Sequence, residues 1–190
     1  IMLPILILVA GLLLGPADVR AEAPATVFLE ELTSTELAAR IKAGATTVII
    51  PVGGTEQNGP HMALGKHNVR AKVLSEQIAR ALGNALVAPV MAYVPEGSVQ
   101  PPTGHMRYPG TITVPPDVYR KVLESAARSL RLAGFRDVVV LGEHGDYQKD
   151  NATVARELNR EWAAAPVRLP TRACSTQSVP DPSSPAARSA

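Results

Sequence analysis

Thr46-Thr47-Val48-Ile49-Ile50-Pro51-Val52-Gly53-Gly54 is the stretch on which the fold turns. β-Branched apolar residues fill it, and no charged position alternates with them. That is the pattern of a strand buried on both faces rather than on one. Gly53 and Gly54 then break the strand into a loop. Working outward, Thr33 to Ala43 carries a helix signature on its N-terminal side. Thr33 caps it, Glu36 sits three residues on, and Leu37 and Ile41 share a face; Gly44 ends it. On the other side, Val69, Val73, Leu74, Ile78 and Leu82 recur at threes and fours, so Asn68 to Leu82 reads as a helix closed by Gly83. Ala85 to Val90 reads as a second strand. Met91 to Pro109 has no period, and a loop this long is usually functional or mobile. Pro115-Pro116 opens a helix that runs to about Ala133. Asp137 to Leu141 is a third buried strand, Tyr147 to Ala164 a helix, and Val167 to Leu169 a candidate fourth strand. Strand alternating with helix implies a mostly parallel sheet covered by helices on both faces. In such folds ligands bind at the carboxyl ends of the strands.

The chain has 190 residues, 46% of them hydrophobic, which suits a single globular domain. Its formal net charge of +2 is scattered, and aromatic residues make up 4%. Neither a clustered basic face nor a base-stacking platform follows, so nucleic acid is not an expected partner. A single cysteine, Cys174, rules out a disulfide within the chain. Ile1 to Leu14 is almost continuously apolar, shorter than the about 20 residues a bilayer span needs. Val19-Arg20-Ala21 follows as a cleavage site, so residues 1–21 read as an export signal and the expected location is periplasmic or secreted, with a membrane anchor as the competitor. Residues 22–170 then form the domain. Residues 171–190, rich in Ser, Pro and Ala, read as a disordered tail.

Two strand-end loops concentrate the ionisable chemistry. One runs Gly53-Gly54-Thr55-Glu56-Gln57-Asn58-Gly59-Pro60-His61-Met62-Ala63-Leu64-Gly65-Lys66-His67-Asn68, the other Gly142-Glu143-His144-Gly145-Asp146. His61, His67 and His144 lie there, out of the chain's 4 histidines, with carboxylates beside them. Imidazole and carboxylate together suit zinc, manganese or iron. On composition alone, loop histidines with satisfied hydrogen bonds explain the same residues. No His-Glu-x-x-His helix, phosphate loop or Gly-x-Ser-x-Gly elbow is present.

Four segments in order resemble the creatininase family. Val52-Gly53-Gly54-Thr55-Glu56-Gln57-Asn58-Gly59-Pro60-His61 resembles its Val-Gly-Ser-x-Glu-Gln-His-Gly-Pro-His, and Leu64-Gly65-Lys66-His67-Asn68 its Leu-Gly-Thr-Asp-Thr. His105-Met106-Arg107-Tyr108-Pro109-Gly110-Thr111 resembles its His-x-x-Phe-Pro-Gly-Thr, and Gly142-Glu143-His144-Gly145-Asp146 its Asn-Gly-His-Gly-Gly or Asn-Gly-His-Tyr-Glu. The resemblance implies a three-layer α/β/α sandwich, a two-metal site, hydrolysis of cyclic or linear amide C–N bonds, and a homo-oligomer where the C-terminal part of the fold is present. It places Glu56, His144 and Asp146 on ligand positions. Two positions depart from the family's pattern: Asn58 replaces a ligand His, and His67 replaces the Asp that bridges two ions. A neutral imidazole has one free lone pair and does not bridge.

The expectation is therefore one divalent ion, zinc or manganese, rather than two. Glu56, His67 and His144 would hold it, with Asp146 as a fourth ligand or a water-positioning base and Asn58 as a weak amide donor. The catalytic candidates are Asp146, Glu143 and His105, where Asp146 or Glu143 takes the proton of the attacking water and His105 either reaches the substrate or shapes the Pro-rich loop. His61, Glu96 and Tyr93 are the candidates for lining a small-molecule substrate pocket, His61 alternatively bonding within its own loop. A relative that binds a metal or small molecule without turnover is the rival expectation.

Overall fold

A computed structural model describes residues 26–142, 145 and 147–163, together with the backbone of Thr171–Ala173. Among the described residues the sheet has four parallel strands in the order β2-β1-β3-β4, with β1 at Thr47–Val52, β2 at Ala85–Val87, β3 at Asp137–Gly142 and β4 at Thr171–Ala173. The helices are α1 at Ser34–Lys42, α2 at Lys66–Leu82, α3 at Pro116–Leu132 and α4 at Gln148–Glu161.

β1 is central and all six of its residues are buried. Its side chains alternate between two cores, as the pleat requires. Val48, Ile50 and Val52 join Val138 and Val140 of β3 in packing against Tyr119, Leu123 and Ala127 of α3 and Val154 and Leu158 of α4. Ile49 faces the other way, into a smaller cluster with Leu141 and with Ala79 of α2. Helices on both faces make the expected three-layer sandwich. Each fully buried Val, Leu or Ile contributes about 1.5–3 kcal/mol to it.

The second strand is shorter than its apolar run suggests. β1 pairs with β3 over its full length, from Thr47↔Asp137 to Val52↔Gly142, but with β2 only from Thr47↔Ala85 to Ile49↔Val87. The N–H and C=O of one strand residue point to the same side. The carbonyl of Pro51 accepts from the N–H of Met91 at 2.9 Å, so Pro51 turns its missing N–H toward the β2 side. With nothing to donate there, and with Pro89 lacking its own N–H, the ladder stops after Ile49. The expected strand to Val90 therefore ends at Val87. Beyond it the chain returns to the sheet at one point, the bridge between Val52 and Met91. Val27 and Phe28 run along the outer edge of β2, where the Val27 carbonyl accepts from Val87 at 2.8 Å.

Two other boundaries move. α2 begins at Lys66 rather than Asn68, so His67 stands in a first helical turn and not in a loop. The fourth strand is Thr171–Ala173, inside the stretch whose composition reads as a tail, and residues 167–169 lie outside the described residues. The export-signal stretch, residues 1–21, and residues 174–190 lie outside them as well. Among the described residues no helix is long and apolar enough to cross a membrane.

Because β2 and β3 lie on opposite sides of β1, the connections leaving β1 and β3 depart to opposite faces. The carboxyl ends of β1 and β3 are therefore the address at which open parallel sheets bind ligands. α1 starts on the anticipated capping box. Thr33 Oγ1 accepts from Glu36 N at 3.3 Å, and Glu36 Oε2 accepts from Thr33 N at 2.7 Å. Hydrogen bonds from the Thr33 backbone and then its side chain hold the Glu36 carboxyl below its ordinary 4.5. A lowered carboxyl pKa adds stability above that ordinary value, and the contribution is lost as pH falls through the folded one. Thr33→Ala is expected to raise the Glu36 pKa toward 4.5 in an NMR titration; an unchanged value would show that the hydroxyl does not hold the carboxylate.

Candidate functional site

The loop leaving β1 is shaped by the start of α2. Gly53 packs so tightly on that turn that a Cβ there would lie 2.3 Å from Asn68 Oδ1 and 2.8 Å from its Cα. Asn68 uses this closeness. Its Oδ1 accepts from the N–H of Gly54 at 2.9 Å, and its Nδ2 donates to Thr55 Oγ1 at 3.1 Å. Gly54 has φ +153°, in the region that favours glycine, and a side chain there would meet the Glu96 carboxylate at 2.6 Å. Glu56 N then donates to the Leu64 carbonyl at 3.1 Å, closing the loop on itself.

From the opposite side the segment around residues 105–111 clamps the peptide of Gln57. Gln57 N donates to Thr111 Oγ1 at 3.1 Å, and Thr111 Oγ1 passes its own proton to the His105 carbonyl at 2.9 Å. His105 Nδ1 lies 2.8 Å from the Gln57 carbonyl. A carbonyl only accepts, so Nδ1 carries the proton and Nε2 is the nitrogen left to face the site.

Glu56 is fully buried at 0% exposure, just beyond the carboxyl end of β1. His67 Nε2 and Asn58 Nδ2 each lie 2.7 Å from Oε1, and His105 Nε2 lies 3.3 Å from Oε2. The carboxylate thus sits in a row between two imidazoles. Among the described residues no three acidic, His or Cys side chains converge as a ready-made metal cage. The donor types present, carboxylate oxygen and imidazole nitrogen, are those that divalent zinc or manganese takes.

A family profile described as creatininase, creatinine amidohydrolase, matches residues 30–188. The chain belongs to the creatininase family. It is 31% identical over 119 residues to creatinine amidohydrolase of Pseudomonas putida, covering 63% of this chain and 45% of that one. It is 29% identical over 125 residues to 3-dehydro-scyllo-inosose hydrolase of Thermotoga maritima, covering 65% and 38%. The chain thus spans less than half the length of these two relatives. Its fold superimposes on the crystal structure of creatinine amidohydrolase (creatininase) with a TM-score of 0.70 at 25% identity, over 79% of this chain and 58% of that one. Similar solved structures include one described as a mutant creatininase of Zn-Zn type and one as creatininase Mn.

Measured against this creatininase-family fold, the candidate residues fall into three groups. Glu56, Asn58, His67 and His105 come together, with Glu96 buried behind Gly54. Asn58 turns its amide nitrogen toward Glu56, which makes it a support for the carboxylate in this orientation. His61 is exposed on its turn, and Tyr93 is 63% exposed, pointing away while its neighbours Val94 and Glu96 are buried. Glu143, His144 and Asp146 lie outside the described residues. Three positioning groups escaped the sequence reading: Asn68, the Gln57 peptide and Thr111. Thr111 closes the third motif, and that was the one available signal.

Gly53→Ala is expected to force α2 outward and to destabilise the fold by about 1–3 kcal/mol in urea unfolding. Gly145→Ala, where an added Cβ meets nothing within 4 Å, serves as the control. Equal midpoints for the two variants would refute this packing.

Proposed function

We propose that this creatininase-family chain is a divalent-metal-dependent hydrolase that cleaves the C–N bond of a small cyclic or linear amide. The observation that carries the reading is the buried Glu56 carboxylate, held at the carboxyl end of β1 with His67 and His105 beside its two oxygens. Glu56 and His67 would hold one ion, zinc or manganese, together with His144 from the loop after β3. A bound ion of this kind lowers the pKa of a water toward about 7 and polarises a carbonyl. The residues of the chain do the rest. Asp146, or Glu143 from the same stretch of sequence, accepts the proton of the attacking water as its oxygen adds to the amide carbon. The C–N bond then breaks, the nitrogen leaves with a proton, and a carboxylate and an amine remain. Asn58 keeps Glu56 oriented while this happens. The named relatives act on different molecules, so the proposal reaches a class of substrate and no single compound. Export, resting on the apolar run Ile1 to Leu14, and assembly into a homo-oligomer belong to the same proposal.

A second reading is a relative that binds metal or a small molecule without turnover. It is favoured by the two departures in the motif, since Asn58 and His67 both hydrogen-bond to the same oxygen of Glu56. The purified full chain, analysed for bound metal and assayed against a panel of small amides and lactams, separates the two. The hydrolase reading expects one tightly held ion per chain and turnover that His144→Ala and Glu56→Gln abolish. Metal without turnover on any substrate supports the second reading. Two tightly held ions overturn the one-ion site, and no bound metal overturns the hydrolase reading.

A further inference from the structure

We propose that Asn58 and Gly59 form a self-modification site, at which the Asn58 amide is converted by water to an aspartyl or isoaspartyl residue. The inference stands apart from the hydrolase reading and does not depend on it. It starts from a pairing that the chain makes once. Among Asn58, Asn68, Asn84, Asn151 and Asn159, Asn58 is the asparagine followed by glycine. In this reaction the next residue's backbone nitrogen attacks the Asn side-chain carbon. A Cβ on that next residue crowds the approach, and glycine has none.

The structure adds three features. First, Asn58 and Gly59 lie in a loop, whereas Asn68 stands in α2 and Asn151 and Asn159 in α4. A helix ties up the attacking group, as Val69 N, donating to the Gly65 carbonyl at 3.1 Å, shows for Asn68. Second, among the described residues the Gly59 N–H carries no hydrogen bond, so the nitrogen that must lose its proton is not engaged. Third, the turn is open: Gly59 has φ +87°, and a Cβ there would meet nothing within 4 Å. On its other side Asn58 is anchored, because Thr111 and His105 hold both ends of the Gln57 peptide.

The step balances. Gly59 N bonds to Asn58 Cγ, the Cγ–Nδ2 bond breaks, and Nδ2 leaves as ammonia with the proton that Gly59 gives up. A cyclic imide remains. One water opens it, at the main-chain carbonyl to leave an isoaspartyl link or at Cγ to leave Asp. Either product alters the site. Asn58 Nδ2 now donates to Glu56 Oε1 at 2.7 Å, and a carboxylate in its place has no proton to give. Glu56 would lose one of the partners of Oε1 and gain a neighbour of its own charge.

The full chain is incubated at mildly alkaline pH in heavy-oxygen water, sampled over days, digested and mapped by mass spectrometry. Conversion raises a peptide's mass by about 1 Da beyond any heavy-oxygen label, and fragmentation locates the change. The solvent label separates conversion during incubation from conversion during handling. Asn58 is expected to convert about tenfold faster than Asn84, which also lies between elements but is followed by Ala85. Isoaspartyl product is recognised by isoaspartyl methyltransferase. Gly59→Ala is expected to slow the conversion by a similar factor. Conversion of Asn58 no faster than of Asn84, or a Gly59→Ala chain that converts as fast as the wild type, overturns the proposal. If Gly59→Ala does not fold, Asn58→Gln replaces it, since one more methylene makes a less favourable ring. Conversion at position 58 that survives this change also overturns the proposal.

Discussion

Glu56 brings a carboxylate to a place that water does not reach, and an isolated buried charge costs several kcal/mol. The surroundings of the residue can be understood as the answer to that cost. His67 and Asn58 address one oxygen and His105 the other. Each of these groups comes from a different segment, so none helps unless the backbone between them is rigid. Asn68 supplies that rigidity from the helix side by bonding Gly54 and Thr55. Thr111 and His105 supply it from the loop side by holding both ends of the Gln57 peptide. The carboxylate is thus held by its direct partners and by hydrogen bonds that fix the backbone around it.

That arrangement is possible only because of where β1 lies in the sheet. A central strand with neighbours on both sides delivers its carboxyl end to the middle of the molecule. The pairing of β2 on one side and β3 on the other makes this the point where the connections part. Pro51 contributes, since the ladder to β2 ends at Ile49, three residues before β1 stops at Val52. Tyr147, at the start of α4, braces the opposite wall by donating its hydroxyl to the Val52 carbonyl at 2.9 Å. α2 serves twice: it covers one face of the sheet with Ala79 and Leu74, and its first turn carries His67 and Asn68 to the site.

Most of this architecture is legible in the sequence because it rests on local periodicity. Apolar runs announce β1 and β3, and spacing at threes and fours announces α2. What was not legible depends on contacts between distant segments. The length of β2 is set by an N–H that Pro51, far along the chain, does not have. His67 joined a helix because Gly65 starts it without any side-chain cap, so no capping signal marked the boundary. At the site, Glu56 and His67 were identifiable from their strand-end loop, whereas the role of Thr111 was not. Thr111 and Gln57 are 54 residues apart, and no local pattern foretells that their loops meet. Tyr93, a pocket candidate from its position near the loop, is exposed, while Val94 and Glu96 beside it are buried.

The departures from the family pattern are best judged together, as changes in charge and in donor type. Exchanging a bridging Asp for His67 removes one negative charge and one bridging oxygen pair from the site. Two dications held close together need anionic ligands to offset their repulsion, and this exchange moves the balance the other way. With Asn58 in place of a ligand His, the position that would hold a second ion loses its nitrogen as well. Meanwhile the imidazoles of His67 and His105 stand beside the two oxygens of Glu56. Against the family's motif, the two exchanges put an amide in place of an imidazole at Asn58 and an imidazole in place of a carboxylate at His67. Imidazole nitrogen suits zinc, whereas carboxylate and water oxygens suit manganese. The exchange at His67 lowers the negative charge available to offset a second dication.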